Sequence, residues 1–449
     1  MNIKECFVMQ SDSIEKRQLI VQKFGGTSVG SLERIEKSAE IILDKWSMGC
    51  APVVVVSAMS GETNRLETMA RNISHREDAA MELVLSSGEQ VTVGLMSLML
   101  DRLARERGYI RPDESIASPY LSHQLPIGTH SNEYADAKIE YVNHAQVWSN
   151  ASAGKITVLP GYQAFNGTQV LTLGRGGSDT SAVSIAGLIE ADLCEIYTDV
   201  DGVYSTDPRL CEDAIKYDLI TTDEMQILSK NGAKVMHHKA IDAAHTYKVP
   251  VVVKSSFEPS KQGTMIVHPE LIEKYHKEDT EAESIYIYGL TMLKDVMAVE
   301  LPLRSGLKKE IMDNLPLLSL TEQNERIQVI LDSKYWDNLN EIVKNQKLDL
   351  DRPKSLYGKI SILGENLSSD SSLIEEAIET VKDNLDGTSH SIKGVQKNNE
   401  VITFLVNREA AADVTRKIHD CCQKVIGPKL KGVEASGVLN KLSNLTLAR

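Results

Sequence analysis

Lysine, glycine and hydroxyl side chains crowd into one stretch, Val21-Gln22-Lys23-Phe24-Gly25-Gly26-Thr27-Ser28-Val29-Gly30. Glycines let a backbone present its N–H groups to an anion, a following helix N-terminus adds a favourable dipole, and Lys23 adds a full charge. The stretch reads as a phosphate cradle or, more plainly, as a strand-to-helix turn. It is not a Walker A loop, in which the lysine follows widely spaced glycines. A second such stretch, Gly174-Arg175-Gly176-Gly177-Ser178-Asp179-Thr180-Ser181, sets an arginine among three glycines ahead of a small-residue helix. Ser178 or Asp179 could be a plain N-cap, but that leaves Arg175 unexplained. Gly232-Ala233-Lys234-Val235-Met236 predicts a third helix start, with a lysine where the dipole disfavours a cation unless an anion is bound. Thr198 to Arg209 mixes acids, Tyr204 and Arg209 in a turn-rich segment fit for a base, a ribose and phosphates, and its acids do not follow EF-hand spacing.

Elements that could position these groups are visible around them. Leu19 to Phe24 is a strand candidate, and Ser31 can cap a helix that turns Leu32, Ile35, Ala39, Ile42 and Trp46 to one face. Pro52 to Ser57 is a β-branched run typical of a parallel strand buried on both faces, and it empties into the polar loop Ala58 to Asn64, where open α/β sheets bind ligands. Ser86-Ser87-Gly88-Glu89 predicts the opening of a helix through Val91, Leu95, Leu98, Met99 and Leu103, with Glu89 in its first turn. Residues 108–154 give little pattern. Strands follow at Lys155 to Leu159, Gln169 to Leu173 and Leu193 to Tyr197, and Val251 to Lys254 is expected to close the sheet. His237 and His238, as neighbours, point apart and read as structural.

The 449 residues carry 49 basic and 63 acidic side chains, a formal charge of −14. That balance disfavours nonspecific binding to nucleic acid or anionic membrane, so an anionic ligand needs a local basic pocket. No apolar run reaches the length of a membrane span and no signal-peptide core is visible, so a cytoplasmic location is expected. The six cysteines show no metal-ligand spacing, and adjacent Cys421 and Cys422 read as helix residues. Residues 1–19 read as a flexible leader, 20–268 as one α/β domain, and the charged stretch 269–284 as a linker. Beyond it, short strands (Ile285 to Leu290, Val296 to Leu301, Ile327 to Leu331, Lys359 to Leu363, Val401 to Val406) alternate with helical patterns at Leu373 to Leu385 and Ala410 to Cys421. They suggest ferredoxin-like α+β units over 285–356 and 357–449.

Seven segments, Lys23 to Ser28, Ser57 to Asn64, Ser87 to Glu89, Gly174 to Asp179, Thr198-Asp199, Thr206 to Arg209 and Gly232 to Val235, stand in the order found in aspartate kinases (aspartokinases). The chain thus resembles that branch of the amino acid kinase family over roughly residues 20–267. The resemblance implies a largely parallel sheet sandwiched by helices, followed by ferredoxin-like ACT domains. It implies transfer of the γ-phosphoryl group of ATP, with Mg2+, to the β-carboxylate of L-aspartate, the entry step to lysine, threonine and methionine. Carried over by motif, Lys23, Gly25 and Gly26 meet the transferring phosphates, and Thr198, Asp199, Tyr204, Arg209, Lys234 and Val235 surround the nucleotide. Thr63, Glu89, Arg175, Gly176, Gly177 and Ser178 hold aspartate, and Asp179 fixes Lys23 and Lys234. No protein metal ligand is expected. The resemblance also implies a homodimer or higher homo-oligomer and lysine or threonine as effector. The chain departs from the family's pattern at Leu301 to Gly306, at Asp370-Ser371-Ser372 and at His238. The competing readings are another member of the amino acid kinase family and a catalytically silent amino acid sensor.

Overall fold

The computed structural model describes residues 17–272, 285–353, 355–367, 379, 393–397, 399–423 and 426–427. The first half begins with strand β1 (Leu19–Phe24), helix α1 (Leu32–Ser47), β2 (Ala51–Val56), α2 (Glu62–Arg71) and α3 (Ala79–Glu106). Ser31 caps α1 by accepting from the Arg34 N–H, as its hydroxyl predicts. Ile35, Ala39 and Ile42 are buried on α1, whereas Leu32 faces solvent. Helix α3 starts at Ala79, capped by Asp78, so Glu89 sits in mid-helix rather than in a first turn. Its buried face runs through Val93, Met96, Leu100 and Leu103, while Val91 and Leu98 are exposed. Among the described residues only α3 is long and apolar enough to cross a membrane, and half of its apolar window is buried in the protein.

Next come β3 (Ala117–Pro119), β4 (Ile127–Gly128), β5 (Tyr141–Val142), α4 (His144–Ser152), β6 (Ile156–Pro160), β7 (Gln163–Phe165), β8 (Val170–Thr172), α5 (Gly177–Leu188) and β9 (Leu193–Thr198). The half ends with β10 (Leu219–Thr221), α6 (Thr222–Lys230), α7 (His238–Tyr247), β11 (Val251–Ser255) and β12 (Thr264–Val267). One eight-stranded sheet has the order β10-β12-β11-β9-β1-β2-β6-β3, with β12 antiparallel to β11. Strand β11 is therefore internal, and β10 forms the edge that Val251 to Lys254 was expected to form. Strands β4, β5, β7 and β8 make a separate small sheet. The side chains of β1 alternate between two cores, as a pleated strand requires. Leu19 and Val21 pack with α5 and α7, and Phe24 packs with α1 and α3.

The second half contains β13 (Tyr286–Pro302), α8 (Ser305–Asn314), β14 (Ser319–Gln323), β15 (Arg326–Asp332), α9 (Trp336–Asn345), β16 (Tyr357–Glu365), β17 (Lys393–Lys397), β18 (Val401–Asn407) and α10 (Ala411–Cys422). The two strands expected at Ile285 to Leu290 and Val296 to Leu301 are one seventeen-residue strand. A register shift between Leu293 and Val296, with Asp295 at φ 61, bends β13 without ending it. Its first part pairs with β16 and its second with β15, giving a single sheet of order β14-β15-β13-β16-β18-β17. Helices α8 and α9 bury one apolar cluster against it and α10 another. Cys421 and Cys422 lie on α10, as their pattern predicts. The leader to residue 16, residues 273–284 of the linker, and nearly all of the Leu373 to Leu385 pattern lie outside the described residues, as does Asp370-Ser371-Ser372.

The sheet of the second half is joined to the first. Tyr288 and Leu363 enter the core built around β1. The Leu290 N–H donates to the Ser205 carbonyl at 2.7 Å, the Tyr217 hydroxyl donates to the Tyr288 carbonyl, and Thr291 Oγ1 donates to the Asn231 carbonyl at 2.7 Å. Gly289 is required there, because a Cβ would lie 2.3 Å from the Ser205 carbonyl oxygen.

Candidate active site

The register of the large sheet brings the candidate loops to one edge. Phe24 is level with Val56 on one side and Tyr197 on the other, and Val56 is level with Pro160. The turns after β1, β2, β6 and β9 therefore all leave at the carboxyl ends of parallel strands, the ligand edge of open α/β sheets. Lys23 shares its side of β1 with Leu19 and Val21, so it faces α5. There Lys23 Nζ lies 2.5 Å from Asp179 Oδ1, in the first turn of α5, with Lys23 only 7% exposed.

Gly25 donates its N–H to the Tyr197 carbonyl at 3.1 Å, and a Cβ there would stand 3.2 Å from Lys23 Nζ. A Cβ on Gly26 would meet the Ala58 carbonyl oxygen at 3.2 Å. The first glycine pair thus keeps the β1 turn close to both the lysine and the β2 loop. The Ala58 N–H in turn donates to Glu89 Oε1 at 3.1 Å. Glu89 is 2% exposed, and its second oxygen, Oε2, is buried with no hydrogen-bond partner among the described residues. Burial pushes its carboxyl up to about 7, only partly offset by the Ala58 N–H. Thr63 stands half-buried in the first turn of α2.

The second glycine stretch has similar causes. The N-cap of α5 is Gly176, at φ 69, not Ser178 or Asp179. A Cβ on Gly176 would fall 2.2 Å from the Cβ of His237, and one on Gly161 would fall 2.8 Å from the Cβ of Ser178. Gly177 is buried against Tyr162. Arg175 is exposed on this turn and has no ion pair among the described residues.

Lys234 stands differently from its expected place. Helix α7 begins at His238, capped by His237, so Lys234 lies in the preceding loop and is exposed. Of the two lysines only Lys23 touches Asp179, while the charge of Lys234 bears on Asp207 and on Asp332 of the second half. The His237 and His238 rings lie 4.2 Å apart between centroids, packed together rather than pointing apart. Val235 is half-buried against the first-half core.

Among the residues expected to surround a nucleotide, Thr198 Oγ1 donates to Asp199 at 3.1 Å, and Tyr204 donates to Asp201 at 2.9 Å. The Arg209 guanidinium makes two bonds to Asp207, at 2.9 and 2.7 Å, and with the Arg209 N–H at 2.9 Å these hold the Asp207 carboxyl below its usual range. Ser256 supports the same edge, since its hydroxyl accepts from Ser28 at 2.7 Å and from Arg34 at 2.9 Å. Ser256 carried no signal in the sequence, because it acts through contacts distant along the chain.

The buried Lys23 of the β1 turn and the buried Glu89, which has no cationic partner among the described residues, thus stand at one edge of the large sheet. Residues 18–255 match the sequence profile of the amino acid kinase family. The chain belongs to the amino acid kinase family. It is 40% identical to the aspartokinase of Pseudomonas aeruginosa over 62% of this chain and 63% of that protein. It is 32% identical to aspartokinase 2 of Bacillus subtilis over 90% of this chain and 97% of that protein, which sets it among the aspartokinases of that family. In fold it is similar to E. coli aspartokinase III, solved in complex with aspartate and ADP, with a TM-score of 0.68 and 21% identity over 90% of this chain and 99% of that one.

Proposed function

We propose that this aspartokinase transfers the γ-phosphoryl group of ATP to the β-carboxylate of L-aspartate, giving 4-phospho-L-aspartate and ADP. The observation that carries the reading is Glu89 Oε2, a buried oxygen with no hydrogen-bond partner among the described residues, beside the Lys23 turn. It fits the substrate ammonium, and Arg175 can take the α-carboxylate in two parallel bonds. Thr63 and the turn Gly176 to Ser178 complete that end, while Thr198, Asp199, Tyr204, Arg209, Lys234 and Val235 surround the nucleotide.

The nucleophile is a carboxylate already ionised at neutral pH, so no general base is needed. The obstacle is the approach of one anion to another. Lys23, oriented by Asp179, offsets that repulsion and the charge spreading over the transferring oxygens, and Gly25 and Gly26 leave room for the phosphates. Magnesium enters with ATP as part of the substrate. Asp179 is engaged by Lys23, so no metal-ligand role is assigned to it. The second half is read as paired ACT units that let lysine or threonine alter the rate, and the reaction is placed in the cytoplasm.

The test is hydroxylamine trapping of the acyl phosphate with ATP and magnesium, against L-aspartate, L-glutamate and acetylglutamate. Hydroxamate is expected with L-aspartate. Product with glutamate alone reassigns the substrate, and nucleotide binding without any turnover supports the silent sensor. Flat titrations with lysine and threonine, alone and together, would retire the regulatory part.

A further inference from the structure

We propose that Asp213, His419 and Asp420 bind a divalent transition metal, of which Zn2+ is the reference, at the junction of the two halves. Asp213 lies on the segment between Arg209 and β10, and His419 and Asp420 lie on α10. One ligand atom from each falls within 4.8 Å of the others. The two carboxylates are exposed at the rim and the imidazole is wholly buried at 0% exposure.

The histidine makes this more than a pair of acids near each other. Its Nδ1 is buried, has no hydrogen-bond partner among the described residues, and stands 3.5 Å from Asp213 Oδ1. An imidazolium held by an aspartate would donate through that nitrogen, and the geometry here does not make that bond. The other nitrogen, Nε2, is 3.3 Å from Ser205 Oγ, which is itself buried and accepts from the Ile215 N–H at 2.9 Å. A hydroxyl oxygen has a second lone pair, so Ser205 can accept from Nε2–H as well. That tautomer leaves an Nδ1 lone pair beside the Asp213 carboxylate. A ligating histidine whose other nitrogen is held by an oxygen is the usual supporting arrangement of metal sites.

Tetrahedral bonds of about 2.0–2.2 Å place neighbouring nitrogen and oxygen ligands roughly 3.4 Å apart, close to the Nδ1 to Asp213 separation. Rotation of the exposed carboxylates closes the remainder, and water completes the shell. One imidazole with two carboxylates selects a borderline dication over Mg2+, which asks for oxygen alone. Arg416 is engaged by Asp413 on its own helix. An ion here would fasten α10 to the segment that follows Tyr204.

The experiment uses the full chain, stripped of metal and dialysed against micromolar Zn2+ in millimolar Mg2+. One equivalent is expected per chain, with Co2+ giving the visible bands of a low-coordinate nitrogen and oxygen site. Asp213→Asn and Asp420→Asn, both at exposed positions, should each weaken binding tenfold or more, and Ser205→Ala by roughly tenfold through the loss of histidine orientation. Circular dichroism of each variant shows that the fold is kept. Absence of a bound equivalent, or binding unchanged in both aspartate variants, overturns the proposal.

Discussion

Replacing Glu89 by glutamine should make the ligand-free protein more stable and the enzyme worse at holding aspartate. A carboxyl that ordinarily loses its proton near 4.5 holds it here to about 7, because burial penalises the charge. Ionising it in the fold then costs about 3 kcal/mol. The native state binds this proton more tightly than the unfolded chain does. The carboxyl therefore costs nothing below about 4.5, costs more as pH rises through the window to about 7, and carries its full cost above that. Glutamine keeps the oxygen that accepts from Ala58 and carries no charge. The melting temperatures of Glu89→Gln and the parent should coincide near the acid end of that window and part by several degrees in favour of the variant above it. L-Aspartate should narrow the gap, since its ammonium gives the carboxylate the cation it lacks. In the hydroxamate assay the KM for aspartate should rise roughly a hundredfold, the scale of losing a charged hydrogen bond in a buried site. Differential scanning fluorimetry across pH, with and without aspartate, measures the first part. Melting curves that stay parallel at every pH, or an unchanged KM, would refute the reasoning.

Lys23→Met should lower kcat by about a hundredfold or more, with a smaller effect on the aspartate KM, because its charge counts most as phosphoryl oxygens gain charge. Steady-state kinetics in both substrates checks this, and a pure KM effect would contradict it. Arg175→Lys keeps the charge and loses the planar fork, so the aspartate KM should rise about tenfold while the ATP KM stays put. Gly176→Ala forces a side chain at φ 69 into the Cβ of His237. It should cost roughly 2–3 kcal/mol and misplace Arg175, read as a lower melting temperature together with a higher aspartate KM. A variant that melts with the parent would show that the turn relaxes.

The parts of the site that sequence reveals are those whose local chemistry is unusual. A lysine and two glycines between an apolar strand and a serine-capped helix have few other uses, and β1, its turn and α1 follow that pattern. The run Pro52 to Val56 likewise lies within strand β2. The start of α3 was hidden because Leu83, Val84, Val91 and Leu98 are apolar yet face solvent, which blurs the period that marks a buried face. Residues 108–154 hold strands of two or three residues, too short for any alternation to register. Lys234 was drawn into a helix by the glycine before it, whereas the capping side chain is that of His237. The ion pair of Lys23 with Asp179 is one that the family motifs imply, without the second lysine, Lys234, whereas the orphaned oxygen of Glu89 arises from packing between distant segments, which composition and spacing do not encode.

Strand β13 is shared property. Its near end is stitched to Ser205 and Tyr217, on and just beyond the segment Thr198 to Arg209, and its far end lies against β15 beneath α8 and α9. Slipping by one residue would turn Tyr288 out of the core it fills, so the near end of the strand is held in register by both halves. A substitution that displaces this end of β13 therefore acts on both sides of the junction, at Ser205 and Tyr217 and in the sheet of the second half.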